Sequence, residues 1–224
     1  MRIEKDFLGE IEIPDELYYG VQTTRALHNF SITGHVINED FIVALAIVKA
    51  AAARANMRTG RMPAVIGGAI VKAAEEIIAG QWQNQFVVDC IQGGAGTSMN
   101  MNANEVIANR ALEILGEPKG NYALISPNNH VNMAQSTNDV IPTAIRICTI
   151  RKARKMIEAL AALAAAFEAK GEEFSQVLKM GRTHLQDAVP ITLGQEFQAY
   201  AEAIKRSMRR IELTVQSLHA VNIG

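Results

Sequence analysis

Aromatic side chains are scarce in this 224-residue chain, at 5% of the composition, and there is no excess of positive charge. Lys and Arg together number 22 against 23 Asp and Glu, which gives a formal net charge of −1. A nucleic-acid-binding surface needs a concentration of basic side chains, and the sequence has no such stripe. We therefore predict no nucleic-acid partner.

Cysteines and long apolar runs are also few. Cys90 and Cys148 stand alone without CxxC spacing, so we expect reduced thiols and no disulfide framework. The longest purely apolar run, residues 159–167, is far shorter than the roughly 20 residues that span a bilayer. The charged N-terminus has no apolar signal core. These features predict a cytoplasmic protein without a membrane partner.

Alanine and other helix formers are abundant, and apolar residues recur at helical spacing in the first part of the chain. The pattern predicts helices over residues 41–57, from Pro63 to about Ala79, and over residues 100–115. Residues 2–13 alternate instead, which suggests a small hairpin or an extended arm.

Longer helical patterns follow in the second part. One begins near Asp139 and can run for about thirty residues, with Gly171 able to end or bend it. Another begins near Thr192, where Gln195 three residues later fits a capping box. Helices of this length exceed the usual mean of about 11–12 residues and are typical of bundles and oligomer interfaces.

Together these patterns predict an all-α protein with a small extended arm. We place an N-terminal, mostly helical domain at residues 1–139 and the first long helices of a central bundle at residues 140–224. Because two long helices offer each other too little partner surface, we expect either missing chain or tight self-association.

Three short segments concentrate polar groups where helices are expected to begin. The first, residues 93–102, reads GGAGTSMNMN, and its glycines expose backbone N–H groups while Thr97 and Ser98 add hydroxyls. It lacks the lysine of a phosphate-binding loop, and Met99 occupies the third glycine position of a dinucleotide fingerprint. An ordinary glycine turn with a hydroxyl cap explains this segment equally well.

The second segment, residues 135–139, reads QSTND. Ser136, Thr137 and Asn138 are each good capping residues, so in the simplest interpretation one caps a helix and the others face water. A single cap needs only one of them, and the contiguous run of polar residues therefore favours a binding site.

The third segment, residues 179–190, reads KMGRTHLQDAVP and contains Thr183 and His184. A lone histidine is more often structural than catalytic, but His184 alone among the five lies in such dense polar surroundings. No HExxH or paired His/Cys spacing indicates a metal site, and no GxSxG indicates a serine hydrolase. We predict neither a metal nor a cofactor.

The three segments together offer many neutral donors, one imidazole and few fixed cations. That inventory suits a small anion held through its carboxylates, since each hydrogen bond to a charged oxygen is worth about 1.5–3 kcal/mol. Such donors also stabilise carboxylate charge that grows when a neighbouring proton is removed, as in an elimination. The residues alone do not single out this chemistry.

These segments resemble the aspartase/fumarase superfamily, and within it the aspartate ammonia-lyases more than the fumarate hydratases. Four strings match the family in order and spacing: YYGVQTTRALHNF (18–30), GGAGTSMNMNANEVIANRAL (93–112), NMAQSTND (132–139) and KMGRTHLQDAVPITLGQEF (179–197). Leu185 and Val189 are aspartase-like, because fumarases tend to carry threonines at those two places.

The resemblance implies reversible anti-elimination of ammonia from L-aspartate, which gives fumarate through an aci-carboxylate intermediate. It implies that Thr97, Ser136 and Thr137 are catalytic residues that hold the β-carboxylate and stabilise its aci form. Ser98 is a weaker candidate for the same carboxylate.

By the same resemblance, Asn138 and His184 contact the amino group, and Thr183 contacts the α-carboxylate. His184 is expected to position the leaving amine and not to act as the base. Members of the family assemble as homotetramers around a bundle of long helices, and three subunits build each active site.

One block of the family does not occur in these 224 residues. It is a loop reading roughly GSSxMPxKxN, which supplies the serine that removes the Cβ proton. We therefore expect the N-terminal half of such an enzyme, with little or no lyase activity alone. Two alternatives stay open: a fumarate hydratase, and a non-catalytic helical scaffold of the same fold.

Overall fold

The computed structural model describes residues 1–223 and consists mainly of helices, which confirms the predicted all-α class. The α-helices are α1 (Val21–Asn29), α2 (Glu39–Arg58), α3 (Ala64–Ile78), α4 (Thr97–Ile114), α5 (Thr137–Glu173) and α6 (Leu193–Ser217). Two antiparallel hairpins pair β1 (Arg2–Asp6) with β2 (Gly9–Ile13), and β3 (Leu178–Thr183) with β4 (Gln186–Thr192). None of the helices in residues 1–223 combines the length and the apolar character that crossing a membrane requires.

The chain divides into two compact units. The first comprises Met1–Cys148 together with the chain from Val221, and the second comprises Thr149–Ala220. The first turns of α5 belong to the first unit and its remaining turns to the second. The domain boundary that we place after residue 139 stays a prediction.

The core of the first unit lies between α2, α3 and α4 and is lined by many small side chains, which allow close helix packing. Its fully buried alanines include Ala44, Ala69, Ala73, Ala74, Ala103, Ala108 and Ala111. Larger side chains such as Leu45, Ile70 and Leu112 fill the remaining space. This composition accounts for the low aromatic content, because helices that approach closely leave little room for rings.

A buried carboxylate holds the beginning of α1. Glu105 of α4 is 1% exposed, and its two oxygens accept the backbone N–H groups of Gly20 (2.8 Å), Gln22 (2.8 Å) and Thr23 (3.0 Å). Burial raises the pKa of Glu105 to about 6. Glu105 therefore supplies from another helix the cap that α1 lacks in its own sequence.

A lysine occupies the interior of α2. Lys49 is 0% exposed, and its Nζ donates to Asn132 Oδ1 (2.8 Å) and to Gln135 Oε1 (3.1 Å). Among residues 1–223 no carboxylate forms an ion pair with it, and burial lowers the pKa of Lys49 to about 7. The two amide acceptors are neighbours of the start of α5, so the buried amine ties α2 to the loop before α5.

The beginning of α4 is set by a left-handed turn. Gly94, Ala95 and Gly96 have φ values of +94°, +50° and +86°, and Gly96 is the N-cap of α4. A Cβ atom on Gly96 would lie 2.8 Å from Cγ1 of Ile141, a residue of α5. Gly96 therefore serves both the turn and the close approach of the α4 start to α5.

In the second unit, the segment that carries His184 is a hairpin and not an open loop. β3 and β4 pair from Leu178↔Thr192 to Thr183↔Gln186, with an irregularity between Met180 and Arg182. His184 and Leu185 form the turn with φ values of +49° and +62°. Two positive φ values in a two-residue loop match the twist of the flanking strands, although neither residue is a typical turn former.

The junction of α5 and α6 differs from expectation at one glycine. α5 runs on to Glu173, so Gly171 does not end it. Instead Gly171 packs closely against α6, since a Cβ on Gly171 would lie 2.7 Å from Cγ of Gln198, and a Cβ on Gly194 would lie 2.4 Å from the Gly171 carbonyl oxygen. The capping box at the start of α6 is confirmed, with Thr192 Oγ1 accepting from Gln195 N and Gln195 Oε1 accepting from Thr192 N.

The packing of Gly96 against Ile141 can be tested with a matched pair of glycines. Gly80→Ala introduces a side chain at φ +93° with nothing within 4 Å, so it should cost about 1–2 kcal/mol of backbone strain. Gly96→Ala should cost a further 1–3 kcal/mol or so, because the new methyl group overlaps Ile141. Urea unfolding measures both values.

Ile141→Ala in the Gly96→Ala background removes the overlapping atoms. The double variant should therefore lose less stability than the sum of the two single variants. Additive losses, or equal losses for Gly80→Ala and Gly96→Ala, would show that the contact is unimportant.

The buried amine of Lys49 predicts a stability change with pH. Its folded-state pKa of about 7 lies below the 10.5 of a free lysine, so between these pH values the unfolded chain holds a proton that the folded protein has released. By linkage, this group makes stability rise as pH increases from 7 to 10.5, by at most about 1.4 kcal/mol per pH unit. Lys49→Met should remove that rise.

The measurement is the free energy of unfolding at several pH values across this window, for the wild type and for Lys49→Met. The difference between the two should grow in favour of the wild type as pH increases. Lys72→Met, at an exposed position of α3, serves as the control. A constant difference for Lys49→Met from pH 7 to 10 would contradict the prediction.

Candidate active site

The first candidate hydroxyls lie at the start of α4. Thr97 is exposed, and its Oγ1 donates to the carbonyl oxygen of Gly94 (2.7 Å). Ser98 is half-buried and lines a cavity of about 290 Å³ together with Asp6 and Arg25, which Thr97 does not line. The two neighbouring hydroxyls therefore have different surroundings, and Thr97 is the one whose side chain is open to solvent at the helix start.

A buried carboxylate, Asp89, accepts several hydrogen bonds just before the glycine turn. Asp89 is almost fully buried and accepts N–H groups from Ile91 (2.8 Å), Thr33 (2.6 Å) and Gly34 (2.9 Å). These hydrogen bonds, the one from Ile91 first, hold the pKa of Asp89 well below its usual range. Asp89 thus stays ionised and pins the segment just before the turn.

The second set of hydroxyls lies at the start of α5, and only one of them caps the helix. Ser136 Oγ accepts the N–H of Asn138 (3.2 Å), and the Ser136 carbonyl accepts from Asp139 and Val140 (both 3.0 Å). Thr137 is half-buried, while the Asn138 side chain is exposed. With Ser136 as the cap, the side chains of Thr137 and Asn138 are left for other contacts.

A buried amide joins the two helix starts. Asn100 lies one turn after Thr97 in α4, and its Nδ2 donates to Thr137 Oγ1 (3.1 Å) and to Asn132 Oδ1 (3.1 Å). Asn132 Oδ1 also accepts from Lys49 Nζ, as described above. We call these four residues, Lys49, Asn132, Asn100 and Thr137, the polar relay. It connects the interior of α2 to a hydroxyl on the surface of the site.

The loop between the π-helical turn (Pro127–Val131) and α5 is held by its own side chains. Asn132 Nδ2 donates to the Gln135 carbonyl (3.0 Å), and Gln135 Nε2 donates to the carbonyls of Val131 (3.0 Å) and Met133 (3.2 Å). Ala134 sits in this loop at φ +57°. The hydrogen bonds hold that strained backbone and thereby fix the direction in which α5 begins.

Thr183 and His184 belong to the second unit, at the tip of the β3–β4 hairpin, and both are exposed there. An ion pair between Arg182 and Asp187 (3.9 Å) crosses the hairpin, but both side chains are about 70% exposed and the pair adds little stability. Leu185 at the same tip is 91% exposed. The hairpin presents a threonine, a histidine and a leucine together to its surroundings.

Lys49, Asn100 and Asn132 are the site residues that sequence patterns do not reveal. A faint signal for Lys49 exists, because it shares the apolar face of α2 with Leu45 and Ala53, which are fully buried. A single lysine at helical spacing with such residues indicates a buried amine. The asparagines carry no signal of their own, since the contacts that join them to each other, to Lys49 and to Thr137 span more than thirty residues of sequence.

The residues described here hold no cluster of three or more His, Cys, Asp and Glu side chains suited to a metal ion. The first unit places neutral hydrogen-bond donors at the adjoining starts of α4 and α5, and the buried amine of Lys49 lies behind them. Hydroxyls and helix N-termini bind anions, and carboxylates in particular. The geometry therefore suits an anionic ligand that carries carboxylates.

Comparison with known proteins agrees with this chemistry. Residues 9–224 match a family model described as lyase. The aspartate ammonia-lyase of Bacillus subtilis (strain 168) is 59% identical over 223 residues, and that of Escherichia coli (strain K12) is 47% identical over 227. Both alignments use all of this chain but 47% and 48% of the relatives, so the chain spans about half their length.

Solved structures give the same result. A crystal structure of a fumarate lyase:delta crystallin from Brucella melitensis superposes with a TM-score of 0.96 at 53% identity, covering 99% of this chain and 50% of that one. A class II fumarase from Schistosoma mansoni superposes with a TM-score of 0.93 at 37% identity, covering 100% of this chain and 47% of that one. The chain therefore belongs to the lyase family, and specifically to the aspartase/fumarase superfamily that its polar segments resemble.

Proposed function

We propose that the protein to which this chain belongs is an aspartate ammonia-lyase, which converts L-aspartate into fumarate and ammonia. The observation that carries the proposal is the contact between Asn100 Nδ2 and Thr137 Oγ1, because it holds the starts of α4 and α5 together as one group of donors. The names of the relatives at 47–59% identity support aspartate as the substrate.

The chemistry follows from where charge develops. When a base removes the Cβ proton, its electron pair moves into the β-carboxylate and makes a dianionic aci form. The electron pair then returns to form the double bond as the amine leaves Cα. Donors fixed around the β-carboxylate stabilise the extra charge, and loss of one such donor typically costs about 10²–10³ in rate.

We assign the β-carboxylate to Thr97, Ser136 and Thr137, with Ser98 as the weaker candidate. Thr97 and Ser136 are the exposed members of the four, and turning the Thr97 Oγ–H from the Gly94 carbonyl to a substrate oxygen needs only a rotation about the C–O bond. Fixed donors suit this task because their hydrogen bonds strengthen as the carboxylate charge grows, and interactions that are stronger in the transition state than in the ground state raise kcat.

We assign the amino group to Asn138 and His184, and the α-carboxylate to Thr183. The exposed tip of the β3–β4 hairpin supports a site completed by another subunit, because Leu185 and Val189 are 91% and 64% exposed in a single chain. Apolar side chains exposed together commonly mark an interface. We therefore propose a homotetramer in which three subunits build each site.

A fumarate hydratase is the second candidate, favoured by the superposition on a class II fumarase with a TM-score of 0.93. Both reactions pass through an aci-carboxylate, so the donors in this chain serve either. The leaving group is what distinguishes them. Supplying the full-length protein with L-aspartate or with malate, and following fumarate by its absorbance, separates the two, while turnover of neither would favour a scaffold.

Substitutions in the full-length protein test the assigned residues. Thr97→Ala and His184→Ala should each lower kcat/KM for aspartate at least tenfold, because each removes a group that contacts the reacting molecule. Cys90→Ser is the control, since Cys90 lies half-buried outside the proposed contacts. Similar small effects from all three variants would refute the site.

The 224 residues alone should form little or no fumarate, because the GSSxMPxKxN loop does not occur among them. Fumarate formed by these residues at an ordinary lyase rate would refute that expectation.

A further inference from the structure

We propose that Lys49 is a positioning residue for the elimination: by orienting two buried amides, it makes Thr137 present its hydroxyl hydrogen to the substrate carboxylate. This inference rests on the proposed function and adds to it a residue that does not touch the substrate. The direction of each hydrogen bond along the polar relay determines the orientation of the next group.

The first step is at Lys49. Its amine has three N–H donors when protonated and two when neutral, and both buried side chains that it meets, Asn132 and Gln135, offer it an oxygen. Asn132 turns Oδ1 toward Nζ (2.8 Å), and Asn132 Nδ2 donates to the Gln135 carbonyl (3.0 Å). The orientation of the Asn132 amide is thus set by the Gln135 carbonyl, which can only accept, and by the Lys49 amine, which donates.

The second step is at Asn100. Asn132 Oδ1 takes its second hydrogen bond from Asn100 Nδ2 (3.1 Å), so the Asn100 amide must direct its nitrogen toward the relay. Its Oδ1 is buried and has no hydrogen-bond partner among residues 1–223. The flipped amide would instead set two oxygens, Asn100 Oδ1 and Asn132 Oδ1, against each other, so the contact with Asn132 favours the observed orientation.

The third step is at Thr137. The second N–H of Asn100 Nδ2 points at Thr137 Oγ1 (3.1 Å), so the hydroxyl accepts there and its own hydrogen is directed elsewhere. Thr137 is half-buried, and the rest of its surface is open to a ligand. If Asn100 were flipped, Thr137 would donate to Asn100 Oδ1 and face the substrate with a lone pair.

Packing alone does not account for a lysine at this place. Position 49 lies on a face of α2 where the neighbours Leu45 and Ala53 are fully buried and apolar. A methionine has a similar volume and would fill the space without the cost of burying an amine. Methionine cannot donate hydrogen bonds to Asn132 and Gln135. Without that donor, the orientation of the Asn132 and Asn100 amides would no longer be fixed.

The test uses the full-length enzyme and a double-mutant cycle. Lys49→Met should lower kcat for aspartate at least tenfold with a much smaller change in KM, because an oriented donor matters most when the carboxylate charge has grown. Thr137→Ala should have a similar effect. If Lys49 acts through Thr137, the double variant should be no more than about threefold slower than Thr137→Ala.

Glu105→Gln provides the control, because Glu105 is as buried as Lys49 but holds α1. It should lower the unfolding temperature, and its effect on kcat, if any, should multiply with that of Thr137→Ala. If the fold-decreases in kcat caused by Lys49→Met and Thr137→Ala multiply in the double variant, Lys49 does not act through Thr137. Its role would then be structural, like that of Glu105.

A second variant covers the case in which Lys49→Met does not fold. Asn100→Asp keeps the shape of the side chain but replaces Nδ2 by an oxygen, so Thr137 must donate to it. It should reproduce the loss of kcat, and a value near that of the wild type would overturn the proposal.

The outcomes also separate this inference from the proposed function. A wild type that turns over neither aspartate nor malate overturns both. If the wild type is active but Thr137→Ala leaves kcat unchanged, the assignment of Thr137 fails and the role of Lys49 with it. If Thr137→Ala lowers kcat but the effects of Thr137→Ala and Lys49→Met on kcat multiply in the double variant, only the proposed role of Lys49 fails.

Discussion

The arrangement of the first unit depends on the directionality of hydrogen bonds that are shielded from water. Lys49, Asn132 and Asn100 meet where α2, α4 and the loop before α5 come together, and they donate hydrogen bonds to one another's side chains or to neighbouring residues. In such surroundings an unpaired donor or acceptor costs about 1–3 kcal/mol. The network therefore permits one arrangement of helix starts and opposes small shifts that bulk solvent would tolerate.

Backbone geometry adds a second constraint on the same place. The left-handed turn of Gly94–Gly96 directs α4 toward α5, and the absence of a side chain on Gly96 lets Ile141 pack against the turn. Asp89 holds the chain on the other side of this turn. Donors fixed in this way need not reorganise when charge appears on a bound carboxylate, which is the physical basis of stabilisation by a preformed site.

The sequence predicts those features whose causes are local. Thr192 and Gln195 form the predicted capping box because the four residues involved contain both halves of the interaction. α1 has no such local signal, since the N–H groups at its start are capped by Glu105, which lies 82–85 residues away. Helical periodicity of apolar residues finds the long helices but cannot assign the side chain that caps a distant one.

The same reasoning explains the errors and omissions at the site. His184 and Leu185 are poor turn formers by composition, so the hairpin that they close was not predicted, and strand pairing on either side outweighs their preference. Lys49 was missed because periodicity treats lysine as a solvent-facing residue. Residue type and resemblance point to Thr97, Ser136 and Thr137, but it is the structure that relates the two helix starts, through the Asn100–Thr137 hydrogen bond and the packing of Gly96 against Ile141.

A buried amine behind a layer of hydroxyls differs in function from an amine that contacts the substrate. A contacting cation would already attract the carboxylates of aspartate in the ground state, and only the part of that attraction that grows with the charge of the aci form would raise kcat. Lys49 is separated from Thr137 by two amides, so its main effect is on which atom of each amide faces forward. The buried amine of Lys49 thus sets the orientation of a neutral donor at the surface, where the site must distinguish a carboxylate from its aci form.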